Sequence, residues 1–178
     1  MIKYVALIRA LNVGGTSVIK MTDLKKMFES FGLDGVSTYI QSGNVVFQSK
    51  EKNQGKLTAH LEKGIKEAWK KELKVFAFTS DQLQKAADQN PFKPGKSDQD
   101  QQVQLMFLSE KPDAARQKAL MAIAKPEYQF AFGDKVFYYT YSKASAGKRR
   151  NLNFEKLLGV YGTARTWKVV DALIELSR

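Results

Sequence analysis

Arg9-Ala-Leu-Asn-Val-Gly-Gly15 and Gln41-Ser-Gly-Asn44 are the segments whose residue types can do chemistry. Arg9 offers a planar, permanently charged fork suited to phosphate or carboxylate. Gly14 and Gly15 allow close backbone approach and can turn successive N–H groups into an anion-binding nest. Asn12, Gln41, Ser42 and Asn44 add neutral donors and acceptors. Together they imply recognition of an anion. An architectural reading uses the same residues, with Gly14-Gly15 in a turn, Ser42-Gly43-Asn44 in a hairpin and Arg9 capping carbonyls. Neither segment carries the glycine-lysine-serine/threonine of a phosphate loop or the third glycine of a dinucleotide fingerprint.

A second basic group lies near the C-terminus: Lys143, Lys148, Arg149, Arg150 and Asn151 in a Gly/Ser/Ala-containing loop, then Arg165 and Trp167 at the expected start of the last helix. A basic loop beside a helix N-terminus suits phosphate, and a solvated charge run has the same composition. His60 is the only histidine and falls at the border of an apolar helical stripe. With no cysteine in the chain, the common structural zinc sites are ruled out and no metal site is assigned. Ser42 has no Ser/His/Asp constellation to activate it, and Asp98, Asp100, Asp134 and Glu155 show no paired-carboxylate spacing.

Three function classes follow. The first is a binder of a phosphate-bearing or other anionic ligand, nucleotide or nucleic acid, through Arg9, Asn12, Gly14, Gly15, Gln41, Ser42 and Asn44, assisted by Lys148, Arg149 and Arg165. The second is an enzyme on a small anionic substrate, with Arg9 as clamp, the loop amides stabilising developing charge, and Ser42 or a carboxylate moving a proton. The third is a structural or interaction role.

The elements that must position these residues are read from periodicity. Residues 2–9 form an apolar run of strand length. Thr22 is expected to cap a helix over 23–31, with Leu24, Met27, Phe28 and Phe31 on one face and Gly32 as its stop. Strands are expected at 36–40 and 45–48 around Ser42-Gly43-Asn44, a helix over 56–72 and a strand over 74–79. This β-α-β-β-α-β order is ferredoxin-like. In such a sheet the end of the first strand, the start of the first helix and the turn between strands two and three share an edge, which brings the two polar segments together.

Residues 88–102, with two prolines and a polar run, read as a linker or long surface loop, with a boundary near 96. Beyond it the order begins again: a strand over 103–108, a helix from Pro112 to about Ala124, strands over 128–132 and 135–141, then two helices near 153–158 and 166–177 in place of a last strand. The fold class is therefore α+β, with ferredoxin-like subdomains over 1–95 and 96–178 and a C-terminal helical extension. Alternation puts Phe137, Tyr139 and Tyr141 on one face of their strand. That is how RNA-recognition sheets stack bases, but the glycine-aromatic octamer is absent, and buried core is the expected role.

The formal net charge is +11 over 178 residues, which brings polyanions into consideration as partners. It is spread evenly, +6 over residues 1–95 and +5 over 96–178. There is no cationic leader and no apolar run of the ~20 residues a membrane span needs. A cytoplasmic protein without a membrane partner is the expectation.

Tyr4-Val-Ala-Leu-Ile-Arg-Ala-Leu-Asn-Val-Gly-Gly15, Met21, Thr38-Tyr-Ile-Gln-Ser-Gly-Asn-Val-Val-Phe47, Leu158-Gly-Val and Thr163-Ala-Arg-Thr-Trp167 resemble an uncharacterised bacterial domain-of-unknown-function family, number 1697, over essentially the full chain. The resemblance implies a two-part α+β fold with ferredoxin-like character and no established activity. The chain departs from the family pattern at Ala10, Thr166 and Lys168, where glycine, asparagine and asparagine are usual.

Overall fold

A computed structural model describes residues 1–12, 18–92, 101–146 and 152–178. Gly14, Gly15, Lys148 and Arg149, together with the expected boundary near 96, lie outside these residues. Contacts divide the chain into two compact units, Met1–Gln84 with Ala172–Arg178, and Lys85–Asp171.

The first unit is built on β1 (Ile2–Ile8), α1 (Met21–Ser30), β2 (Asp34–Tyr39), β3 (Asn44–Ser49), α2 (Gln54–Trp69) and β4 (Val75–Thr79). Its sheet order is β2-β3-β1-β4, with every pair antiparallel. Tyr4, Ala6 and Ile8 of β1 meet Val45 and Phe47 of β3, Leu24 and Phe28 of α1, and Leu57, Leu61 and Ile65 of α2 in one core. Val5 and Leu7, on the other face of β1, are also fully buried. Burial on both faces explains why β1 reads as a continuous apolar run and not as an alternation.

α1 starts at Met21, ahead of the expected Thr22 cap, and its N-cap Lys20 makes no side-chain cap bond. The entry is set by tertiary contacts instead, because both backbone polar groups of Ile19 are held by the Asn12 side chain. A helix that periodicity did not isolate, α3 (Ser80–Asp88), follows β4 directly. It carries a capping box: the Gln82 N–H donates to Thr79 Oγ1 at 3.2 Å and the Thr79 N–H to Gln82 Oε1 at 2.9 Å.

The second unit's sheet, β6-β7-β5-β8, is formed by β5 (Gln101–Leu108), β6 (Tyr128–Phe132), β7 (Val136–Ser142) and β8 (Gly162–Thr166). α4 (Ala114–Ala122) lies between β5 and β6 in the chain, α5 (Phe154–Leu158) precedes β8, and α6 (Trp167–Leu176) follows it. The strand β8 corrects the expectation of two successive C-terminal helices. Gly-Thr-Ala-Arg-Thr is too short and polar to register as an apolar strand, yet it pairs with β5 from Gln104 to Leu108. The aromatic face of β7 is core: Phe137 and Tyr139 pack on Phe154, each with ring centroids 4.9 Å apart.

Both units repeat one register. Ile8 pairs with Val75 as Leu108 pairs with Gly162, and Leu7 pairs with Asn44 as Phe107 pairs with Val136. A side-chain bond repeats as well. Glu62 Oε1 accepts from the Val75 N–H at 3.0 Å, and Glu155 Oε1 accepts from the Gly162 N–H at 2.9 Å.

Two predictions concern the second unit. A Cβ on Gly162 would stand 2.7 Å from the Phe107 carbonyl oxygen, a backbone atom of the central strand. Gly162→Ala is therefore expected to destabilise by about 1–3 kcal/mol in urea denaturation. The buried Tyr138 hydroxyl donates to the Ala86 carbonyl at 2.8 Å, and burial pushes its phenol up from 10.0 to about 12. The stability it supplies is whole below the unfolded value and is lost as pH climbs through the folded one. Burial moves Arg165 the other way, down to about 10, so its contribution improves over the same range. Comparing wild type with Tyr138→Phe isolates the tyrosine: wild type should lose stability relative to the variant between pH 10.0 and about 12.

Candidate functional site

The edge that joins the two polar segments is built at the C-terminal end of β1. The Ile8 N–H donates to the Gly43 carbonyl at 2.7 Å and the Arg9 N–H to the Lys74 carbonyl at 2.8 Å. These bonds set the β2–β3 turn on one side of Arg9 and the α2–β4 connection on the other. The chain then reverses through Ala10 and Asn12, with φ of +56° and +60°.

Asn12 is the joint. Its Nδ2 donates to the Ile19 carbonyl at 3.0 Å and to the Gln41 carbonyl at 3.1 Å, while its Oδ1 accepts from the Ile19 N–H at 2.7 Å. One side chain thus closes its own loop and ties it to the hairpin turn. In that turn Ile40 and Gly43 have φ of +45° and +74°. A Cβ on Gly43 would lie 3.0 Å from the Cβ atoms of both Ile8 and Leu11, so glycine is required there for space as well as for conformation.

Asn44 is fully buried and opens β3. Its Nδ2 donates to the Tyr39 carbonyl and to Ser42 Oγ, each at 2.9 Å. The structure thus brings Arg9, Asn12, Gln41, Ser42 and Asn44 together, but with different duties. The amides of Asn12 and Asn44 and the hydroxyl of Ser42 are engaged in bonds that shape the edge. Arg9 is half-buried and Gln41 exposed.

Arg165 is elsewhere. It sits in β8 of the second unit, opposite Leu105, and not at a helix start. Only 8% of it is exposed, and its Nη1 donates to Thr163 Oγ1 at 2.7 Å and to the Ala164 carbonyl at 2.8 Å. Its expected place at the start of the last helix, beside the basic loop, is therefore corrected: alternation in a polar strand turned it inward. Sequence reasoning also missed Lys74, whose carbonyl accepts the Arg9 N–H and whose ammonium pairs with Glu62 at 3.3 Å. No local motif links it to Arg9. Only the pairing of β1 with β4 does.

Backbone strain gathers at this edge. Among the described residues five non-glycine positions have positive φ, and Ala10, Asn12 and Ile40 are three of them. Ile40 is β-branched and 49% exposed. Such conformations cost about 1–3 kcal/mol each and persist where the surroundings over-determine them. No helix among the described residues is long and apolar enough to cross a membrane.

Asn44→Ala should lower stability by about 1–3 kcal/mol in urea denaturation, because the fully buried amide is lost and the part-buried Tyr39 and Ser42 acceptors lose their donor. The exposed neighbour Gln41→Ala should change it by less than about 0.5 kcal/mol.

Comparison with known proteins agrees with this geometry at the level of fold. No curated protein matches the sequence. Among solved structures, a similar chain is the conserved bacterial protein SP0830 from Streptococcus pneumoniae, 20% identical, with a TM-score of 0.77 over 99% of each chain. The family model described as Protein of unknown function (DUF1697) matches residues 1–138. By that match, which takes in the whole edge from Arg9 to Asn44, the chain belongs to the DUF1697 family.

Proposed function

We propose that the protein binds a phosphate-bearing or other anionic ligand, a nucleotide or nucleic acid, at the edge between the loop after β1 and the β2–β3 turn. The observation that carries this reading is the Asn12 side chain, whose three hydrogen bonds hold the loop and the turn together beside Arg9. In this reading Arg9 and Gln41 contact the ligand, Gly14 and Gly15 offer backbone N–H groups, and Asn12, Ser42 and Asn44 are positioning residues. Lys148 and Arg149 stay in the proposal as an assisting basic loop, and Arg165 leaves it.

The strand order of each unit supports a ferredoxin-like kinship, with the chain as two repeats divided near 95–96. A cytoplasmic setting suits a chain without cysteine. The catalytic alternative at the same edge finds less support. Ser42 Oγ accepts a hydrogen bond from Asn44. His60, the single histidine, lies in a cleft with Ser49 at the opposite end of β3, about 20 Å of strand from Ser42.

The test is a thermal-shift panel of nucleotides, phosphorylated metabolites, carboxylates and short oligonucleotides at low and high salt. Arg9→Ala, with its fold intact by circular dichroism, should weaken the responding ligand by roughly 1.5–3 kcal/mol, the worth of a hydrogen bond to a charged group. Unchanged binding in that variant overturns the site. A response confined to oligonucleotides and lost in salt identifies nucleic acid through counterion release, whereas a salt-resistant response to one small anion identifies a small-molecule site.

A further inference from the structure

At the other end of the first unit's sheet, a cleft of about 470 Å³ opens between the end of β3, the start of β2 and the first turns of α2. Its volume lies within the range of small-molecule sites, roughly 300–1,000 Å³. Its floor is apolar, formed by Phe31, Leu33 and Leu57. The Phe31 ring is set by two neighbours on α2. His60 packs against it edge to face with centroids 5.3 Å apart. Gly64 leaves room for it, since a Cβ there would stand 2.1 Å from the ring.

The polar groups of the cleft are mostly donors. Ser49 is only 6% exposed, and its Oγ accepts from the Glu51 N–H at 3.1 Å. Its hydroxyl proton has no acceptor among the described residues. Lys50 and Lys56 also line the cleft, and neither is ion-paired among the described residues. The His60 ring adds an N–H. Two carboxylates share the rim, Asp34 and Glu51. Glu51 is engaged with its own chain, its Oε1 accepting from the Asn53 N–H at 2.7 Å.

We infer that this cleft is a second ligand site, taking a small planar aromatic molecule that carries a carboxylate or phosphate, with its ring over Phe31 and its oxyanion on Ser49, Lys50, Lys56 and His60. An apolar floor with an unmatched buried hydroxyl donor and two unpaired ammonium groups is complementary to such an acid and not to a plain hydrocarbon. The site is independent of the edge around Arg9, at the opposite end of β3.

Because the chain has one histidine, the His60 imidazole gives a single pair of ring C–H signals in proton NMR. They are followed in the full chain during titration with benzoate and phenyl phosphate, with benzyl alcohol as the uncharged ring. Both acids are expected to shift the His60 signals saturably, benzyl alcohol far less, and the tighter of the two acids tells carboxylate from phosphate. Lys56→Gln and Ser49→Ala should each weaken the better acid by about tenfold, the loss of one charge-assisted or buried hydrogen bond. Arg9→Ala should bind it as wild type does. The inference is overturned if neither acid gives a saturable shift, if benzyl alcohol matches them, if both cleft variants bind as wild type does, or if Arg9→Ala abolishes the response with its fold intact.

Discussion

The first unit depends on one constraint: β1 is an inner strand of its sheet, paired with β3 and β4 and buried on both faces. A strand enclosed in this way must find every backbone partner in its neighbours, since an unpaired buried amide costs far more than a made bond gains. The ladder therefore continues past the strand itself, through the Ile8 and Arg9 N–H groups to Gly43 and Lys74. Those two bonds draw the hairpin turn and the α2–β4 connection to the place where β1 releases the chain. The edge is a product of central-strand bookkeeping as much as of its own motifs.

Seen from that strand, the polar residues divide into those that build and those that face outward. Asn44 is buried and satisfies a carbonyl and a hydroxyl, Asn12 satisfies both polar groups of Ile19 and a carbonyl of the turn, and Gly43 provides space between Ile8 and Leu11. A motif rich in asparagine and glycine can therefore be specific in sequence for reasons of packing alone. Arg9, half-buried, and Gln41, exposed, are the side chains it leaves toward the surface.

Much of the fold was legible because its signals are local. The apolar run of β1, the helical stripe of Leu57, Leu61 and Ile65, and the glycine and asparagine of the hairpin each announce their element. The meeting of the two polar segments was legible too, because β-α-β-β-α-β order leaves few ways to arrange an antiparallel sheet. Illegible were the features settled by distant partners. Thr22 lost its capping role to contacts made by Asn12. β8 carries too little apolar character to be seen until β5 pairs with it, and Arg165 was misplaced for that reason. The capping box of α3, Thr79-x-x-Gln82, is a local signature, but the strand before it runs into the helix without a loop to mark the boundary.

The repeated register has a comparative consequence. Arg9 and Ser109 occupy the same step of the two ladders, each donating its N–H to the residue before the outer strand, Lys74 and Tyr161. Gly43 and Lys135 likewise share a step, both left-handed and both accepting from the end of the central strand. The polypeptide thus carries one frame twice, with an arginine at one copy's rim and a serine at the other's. The second unit therefore serves as an internal control in which the frame is present and the Arg9-to-Asn44 motif is not.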